Sequence, residues 1–203
     1  MPGALRGNGA CRRYISFTIT RQAAMKISIP LLCAATGLTL MHGVIAADLT
    51  DDDQRFLREA GEHSLLQKQA GELAMEKANH PHLKRYAGKI LDDHGPAHKE
   101  LEVLASAKGF TLPIELDGSK RGVMEDLRQL KDAGFDRQYA DEVAADAHED
   151  AVELYEDVAE DTNDAEIKAY AEKRLPMLKQ HLASGQELEE LIENTRRNAD
   201  AVK

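Results

Sequence analysis

The chain has 203 residues, 4% of them aromatic and none Trp, and a formal net charge of −10. That length suits one domain with a sizeable core, and the abundance of Ala, Leu, Glu, Lys and Asp favours helix over sheet. The acidic balance argues against nucleic acid and anionic lipid as partners and suits cations.

Residues 1–24 contain no acidic residue and read as an upstream extension, disordered or the product of a misassigned start. Residues 25–46 follow a secretory signal pattern: Lys26, an apolar run, then Val44-Ile45-Ala46 with small residues at −3 and −1. The run falls short of the roughly 20 residues of a membrane span, so no stable membrane insertion is expected after cleavage. A periplasmic or secreted location is expected. Both cysteines, Cys11 and Cys33, precede the cut, which leaves residues 47–203 without disulfide or thiolate ligand. The cut also removes five basic and no acidic residues, leaving 21 basic against 36 acidic, a net −15.

The elements of the 47–203 domain follow in order. Thr50 with Asp51, Asp52 and Asp53 behind it predicts a capped helix start, and the helix should run to about Ala78. Asn79-His80-Pro81 marks a stop and restart, with Pro at a first helical position. The second helix should end at Gly109. Residues 109–118 read as loop, and a short helix should span 119–133 and stop at Gly134. A third long helix is expected over 135–160, a cap over 161–164, and a last helix from Ala165 past Ile192, bent at Pro176, with a frayed tail.

Four long helices in two short-turn hairpins, joined by one long connection, have the connectivity of a ferritin-like four-helix bundle. The expected class is therefore all-α, with a crossover carrying one short extra helix. An internal repeat supports two hairpin copies: Asn79, Leu83, Lys84, Tyr86, Ala87 and Lys89 recur as Asn163, Ile167, Lys168, Tyr170, Ala171 and Lys173.

Apolar stripes at 3–4 spacing run along each long helix, and each stripe contains a histidine: His63, His94, His148 and His181. His63 lies 16 residues before Asn79 and His94 lies 15 after it; His148 lies 15 before Asn163 and His181 lies 18 after it. At about 1.5 Å per residue all four sit near mid-bundle, whichever ends the two turns occupy. His98 and Asp93 from the second helix, and Gln67 from the first, lie near the same level.

Inward imidazoles satisfy one another poorly, because each neutral ring has one donor and one acceptor and protonated rings repel. A divalent transition metal ion resolves this by taking a lone pair from each ring, and imidazole suits zinc, copper and iron. The candidate ligands are His94, His148, His181, His63 and Gln67, with Asp93 and His98 as supporting partners. The Glu-x-x-His pattern of di-iron bundles is missing from these stripes, which argues for one ion rather than an oxo-bridged pair. The plainer reading of any one of these rings is a core histidine bonded to a carbonyl or an acid. Asp93 reads equally as a surface acid, His80 and His82 as solvent-facing, and the acidic run 141–160 as a solvated face.

The motifs Phe56-Leu57-Arg58-Glu59-Ala60, Asp93-His94, Gly109 with Leu112-Pro113, Phe135-Asp136-Arg137-Gln138-Tyr139, His148 and Leu175-Pro176-Met177-Leu178-Lys179-Gln180-His181-Leu182 occur in order. Together they resemble an exported bacterial family catalogued as domain of unknown function 4142 and grouped with ferritin-like folds. The resemblance spans about residues 50–190 and implies a ferritin-like bundle and export, but no established activity. It matches Asp93, His94, His148 and His181. The family usually has Glu where this chain has Gln67, and does not usually have His at position 63. His63, one turn earlier on the same face, either substitutes as ligand or accompanies loss of the site.

Two functions compete at this stage. One is an exported metal-binding bundle. The other is a non-catalytic acidic helical protein that binds a partner, for example in envelope stress. An oxidase or peroxidase needs an open coordination position and a substrate path, and the sequence shows neither.

Overall fold

The computed structural model describes residues 49–201; the expected upstream extension and signal peptide lie outside them. No strand occurs among the described residues, and none of their helices is long and apolar enough to cross a membrane. Four long rods form the fold. They are α1 (Asp51–Lys77), α2 (Pro81–Ala107), a composite third rod, and α6 (Ala165–Ala201). The third rod joins α4 (Asp132–Gln138), a π-helical stretch (Tyr139–Asp146) and α5 (Ala147–Asp161), while α3 (Gly118–Gln129) lies in the crossover.

The starts follow from local chemistry. The Thr50 hydroxyl accepts from the Asp53 amide at 3.1 Å, and the Asp53 carboxylate accepts from the Thr50 amide at 3.3 Å, a reciprocal cap on α1. Pro81 occupies the first turn of α2. Asp164 accepts from the Glu166 and Ile167 amides at 3.0 Å each, capping α6.

Three boundaries differ from their sequence expectation, two through tertiary contacts and one through pairs within its own helix. α3 ends at Gln129 rather than at Gly134, because Lys77 of α1 donates to the carbonyls of Leu127 at 2.9 Å and Arg128 at 2.8 Å. That captures the last acceptors of α3, and the chain leaves through extended Leu130 and Lys131. The third rod starts early, at Asp132, which has φ 50°. Asp136, one turn later, accepts from the Asn79 amide at 3.1 Å and the His80 amide at 2.9 Å, pinning the α1–α2 turn. The expected frayed tail is helical to Ala201, and Arg196 pairs there with Glu193 at 2.9 Å and Asp200 at 3.8 Å. Helix assignment continues through Pro176 and also through Pro96.

The two turns lie at opposite ends. The α1–α2 turn meets the start of α4 through Asp136. At the other end Thr162, just past α5, donates to Asp53 of α1 at 2.6 Å, and Lys108, just past α2, pairs with Asp164 at 2.6 Å. So α1 and α6 run one way, while α2 and the third rod run the other. α1 and α6 each pack against both α2 and the third rod, so every neighbouring pair is antiparallel.

The core divides into two apolar clusters along the bundle axis. One holds Leu66, Ala70, Leu83, Ile90, Tyr139, Val143 and Leu188, with Met124 and Leu127 from α3. The other holds Phe56, Leu57, Leu101, Tyr155, Ile167 and Leu178. Each large side chain buried in these clusters contributes roughly 1.5–3 kcal/mol of transfer free energy. All four rods cross from one cluster to the other, and a polar layer fills the gap.

Candidate metal centre

At that crossing each rod contributes one histidine. His63, His94, His148 and His181 are exposed to only 5%, 4%, 0% and 1%, and Gln67 to 0%. Ring centroids lie 5.4 Å apart for His63–His94, 5.1 Å for His63–His148, 5.3 Å for His94–His181 and 5.4 Å for His148–His181. One ring nitrogen from each of His63, His94 and His148 lies within 4.8 Å of the other two.

Hydrogen bonds set which nitrogen two of the rings present. His148 Nδ1 lies 3.2 Å from the Val143 carbonyl, which can only accept. The proton is therefore on Nδ1, and the lone pair on Nε2. His181 Nε2 lies 2.8 Å from the Asp93 carboxylate, which places its proton on Nε2 and its lone pair on Nδ1. Lys89 in turn holds Asp93 at 2.6 Å. Gln67 donates through Nε2 to the same Val143 carbonyl at 3.2 Å, leaving its oxygen free to accept. Five buried atoms then have no hydrogen-bond partner: His63 Nε2, His94 Nε2, His148 Nε2, His181 Nδ1 and Gln67 Oε1. Leaving such atoms unpaired costs about 1–3 kcal/mol each.

Electrostatics keep the rings neutral. Burial lowers all four pKa values, and neighbouring imidazoles lower those of His63, His94 and His148 further. His148 is pushed down to about 3. For His181, Asp93 works against the burial effect without cancelling it. Neutral rings offer lone pairs without first releasing a proton, which is the state metal ligation requires.

The backbone around the site is irregular. The π-helical stretch supplies Val143, the shared acceptor, and Ala144, whose carbonyl lies 3.2 Å from the Tyr86 hydroxyl. The same hydroxyl lies 3.3 Å from the His181 carbonyl, and burial raises its pKa, so it stays protonated. α6 passes this stretch at Gly185. A Cβ there would lie 2.0 Å from the Ala144 carbonyl oxygen, so the approach requires glycine. π-helical turns of this kind recur at functional sites.

The family described as "Domain of unknown function (DUF4142)" matches residues 41–188. The chain belongs to this family. A solved structure described as "CopM in the Cu(II)-bound form" matches with a TM-score of 0.57 at 20% identity, over 68% of this chain and 95% of that one. At that identity the likeness concerns the all-α bundle fold. None of the curated proteins matches the chain.

In this DUF4142 member the structure brings together His63, His94, His148, His181 and Gln67, and ties Asp93 to the group through His181. It does not bring His98 in. That ring lies 3.5 Å from Glu102 on its own helix, and no hydrogen bond joins it to the four-ring layer. Sequence reasoning assigned no site role to Tyr86 or to the Val143 carbonyl. The inward position of Tyr86 in the internal repeat was the available signal for the first. The second depends on backbone geometry that no side chain announces.

Proposed function

We propose that this DUF4142 domain binds one divalent transition metal ion in the histidine layer, with copper the leading candidate and zinc and iron behind it. His63, His94 and His148 are the primary ligands, supplemented by His181 and Gln67. The observation that carries the reading is the convergence of one ring nitrogen each from buried His63, His94 and His148 to within 4.8 Å, in a layer whose ring nitrogens His63 Nε2, His94 Nε2, His148 Nε2 and His181 Nδ1 have no hydrogen-bond partner. Four neutral imidazoles suit copper, zinc and iron, and among divalent ions copper binds nitrogen donors most tightly. The fold neighbour described as Cu(II)-bound supports that order.

The protein's own residues do the preparing. Val143 and Asp93 fix two ring orientations. Burial holds the rings unprotonated, and the apolar clusters flank the layer along the bundle axis. A bound ion would supply a Lewis acid, and for copper or iron a redox centre, held inside a rigid bundle. The signal pattern at residues 25–46 supports an exported compartment for this metal-binding or metal-buffering role.

The test is thermal unfolding with Cu(II), Zn(II) or Fe(II) added to metal-stripped protein. A ligand that binds only the folded state at a hundredfold excess over its Kd adds about 2.7 kcal/mol of stability. The midpoint should rise for the parent and stay fixed for His94→Ala and His148→Ala. An unmoved parent midpoint with all three metals rejects the reading.

A further inference from the structure

A groove of about 620 Å³ runs between α1, α3 and the third rod. Glu59, Glu142, Asp146, Asp150, Glu153 and Asp157 line it. Two cations also line it, and both are engaged by acids outside the lining: Arg55 pairs with Asp52 at 3.3 Å, and Lys120 with Glu62 at 3.7 Å. The groove therefore carries a concentrated and largely uncompensated negative charge. The carboxyls of Glu142 and Asp146 are pushed up, first by partial burial and then by neighbouring carboxylates.

An acidic helix face alone would be a solvated surface. This one differs in where it leads. His63 also lines the groove, is 5% exposed, and presents an Nε2 with no partner. The other three rings of the layer do not line it. On the far side, His63 and His94 border a cavity of only about 10 Å³, walled in part by Tyr170 and Arg174. That space is about one water's worth, too small to admit a hydrated ion.

We infer that the acidic groove is the entry route by which a divalent cation reaches the histidine layer, with His63 as the first ring to receive it. This inference rests on the metal reading above. The carboxylates gather the hydrated ion and begin to replace its water. His63 then belongs to both environments and passes the ion toward His94 and His148. Fields of this kind raise association rates by about 10–10³-fold and weaken steeply with ionic strength.

The experiment is stopped-flow uptake of Cu(II) alone by the metal-stripped protein, followed as a function of salt, with equilibrium stoichiometry measured on the same samples. The groove variant is Asp146→Asn/Asp150→Asn/Asp157→Asn, all exposed positions. A charge-matched control, Glu72→Gln/Glu76→Gln/Glu172→Gln, changes exposed acids outside the groove. The groove variant should take up copper about tenfold more slowly at low salt, with a flatter salt dependence and unchanged stoichiometry. The control should match the parent within twofold. Parent-like uptake by the groove variant, or equal slowing in both variants, overturns the route while leaving the site intact. A parent that takes up no copper, and no zinc or iron in the same assay, overturns the metal reading and the route with it.

Discussion

Val143 and His148 stand five residues apart on the third rod, and the carbonyl of the first lies 3.2 Å from Nδ1 of the second. The same carbonyl holds the Gln67 amide at 3.2 Å. One backbone oxygen thus orients two side chains of the polar layer. The other polar atom of each, Nε2 of His148 and the oxygen of Gln67, is buried without a partner.

Metal-free stability should fall on mild acidification. The four rings have folded-state pKa values below the ordinary 6.5, so between the two values the unfolded chain binds protons that the folded one does not. Stability is then complete above about pH 6.5 and is lost as pH drops toward the folded value, a window reaching to about 3 for His148. One such ring contributes a slope of about 1.4 kcal/mol per pH unit. Urea unfolding in chelator from pH 7 to pH 4 measures it, and His148→Leu should show a shallower slope than the parent.

Replacing a ring by a hydrocarbon should separate stability from binding. His94 Nε2 is buried without a partner, so His94→Leu removes an uncompensated polar atom at similar volume. Metal-free stability should stay level or rise by up to about 2 kcal/mol. The same variant should lose the thermal shift produced by metal. A large metal-free destabilisation would instead mark His94 as a structural residue.

Gly185→Ala should destabilise the fold by about 3 kcal/mol. The added methyl meets backbone, the Ala144 carbonyl oxygen at 2.0 Å, and no side chain can rotate away to relieve it. Denaturant midpoints for Gly185→Ala and Gly95→Ala make the comparison, because a Cβ at Gly95 meets nothing within 4 Å.

Gln67→Glu should trade stability for affinity. The carboxylate loses the donor bond to Val143 and places an unpaired charge at a fully buried position, which costs several kcal/mol without metal. With metal present it adds an anionic ligand. Chelator competition should show at least tenfold tighter binding, alongside a lower metal-free midpoint.

Much of this layer was legible in the sequence because two periodicities coincide there. Helical spacing put His63, His94, His148 and His181 on inward stripes, and counting from the two turns put them at one depth. The count could not say whether the turns share an end. That is decided by distant contacts such as Thr162 with Asp53 and Asp136 with the Asn79 amide. The end of α3 departs from the sequence expectation for a related reason. Gly134 looked like the stop, while the actual cap is a lysine some fifty residues away in α1. The π-helical stretch was invisible because Tyr139–Asp146 has an ordinary helical composition. The acidic run was visible, but whether it faces solvent or a groove depends on where α3 docks.

The most direct test is metal content. The protein, untagged and dialysed against copper, zinc or iron, is compared by elemental analysis with His94→Ala and His148→Ala. The account predicts close to one ion per chain in the parent, with copper retained best, and background levels in both variants. Background metal in the parent, or metal retained by both variants, would contradict it.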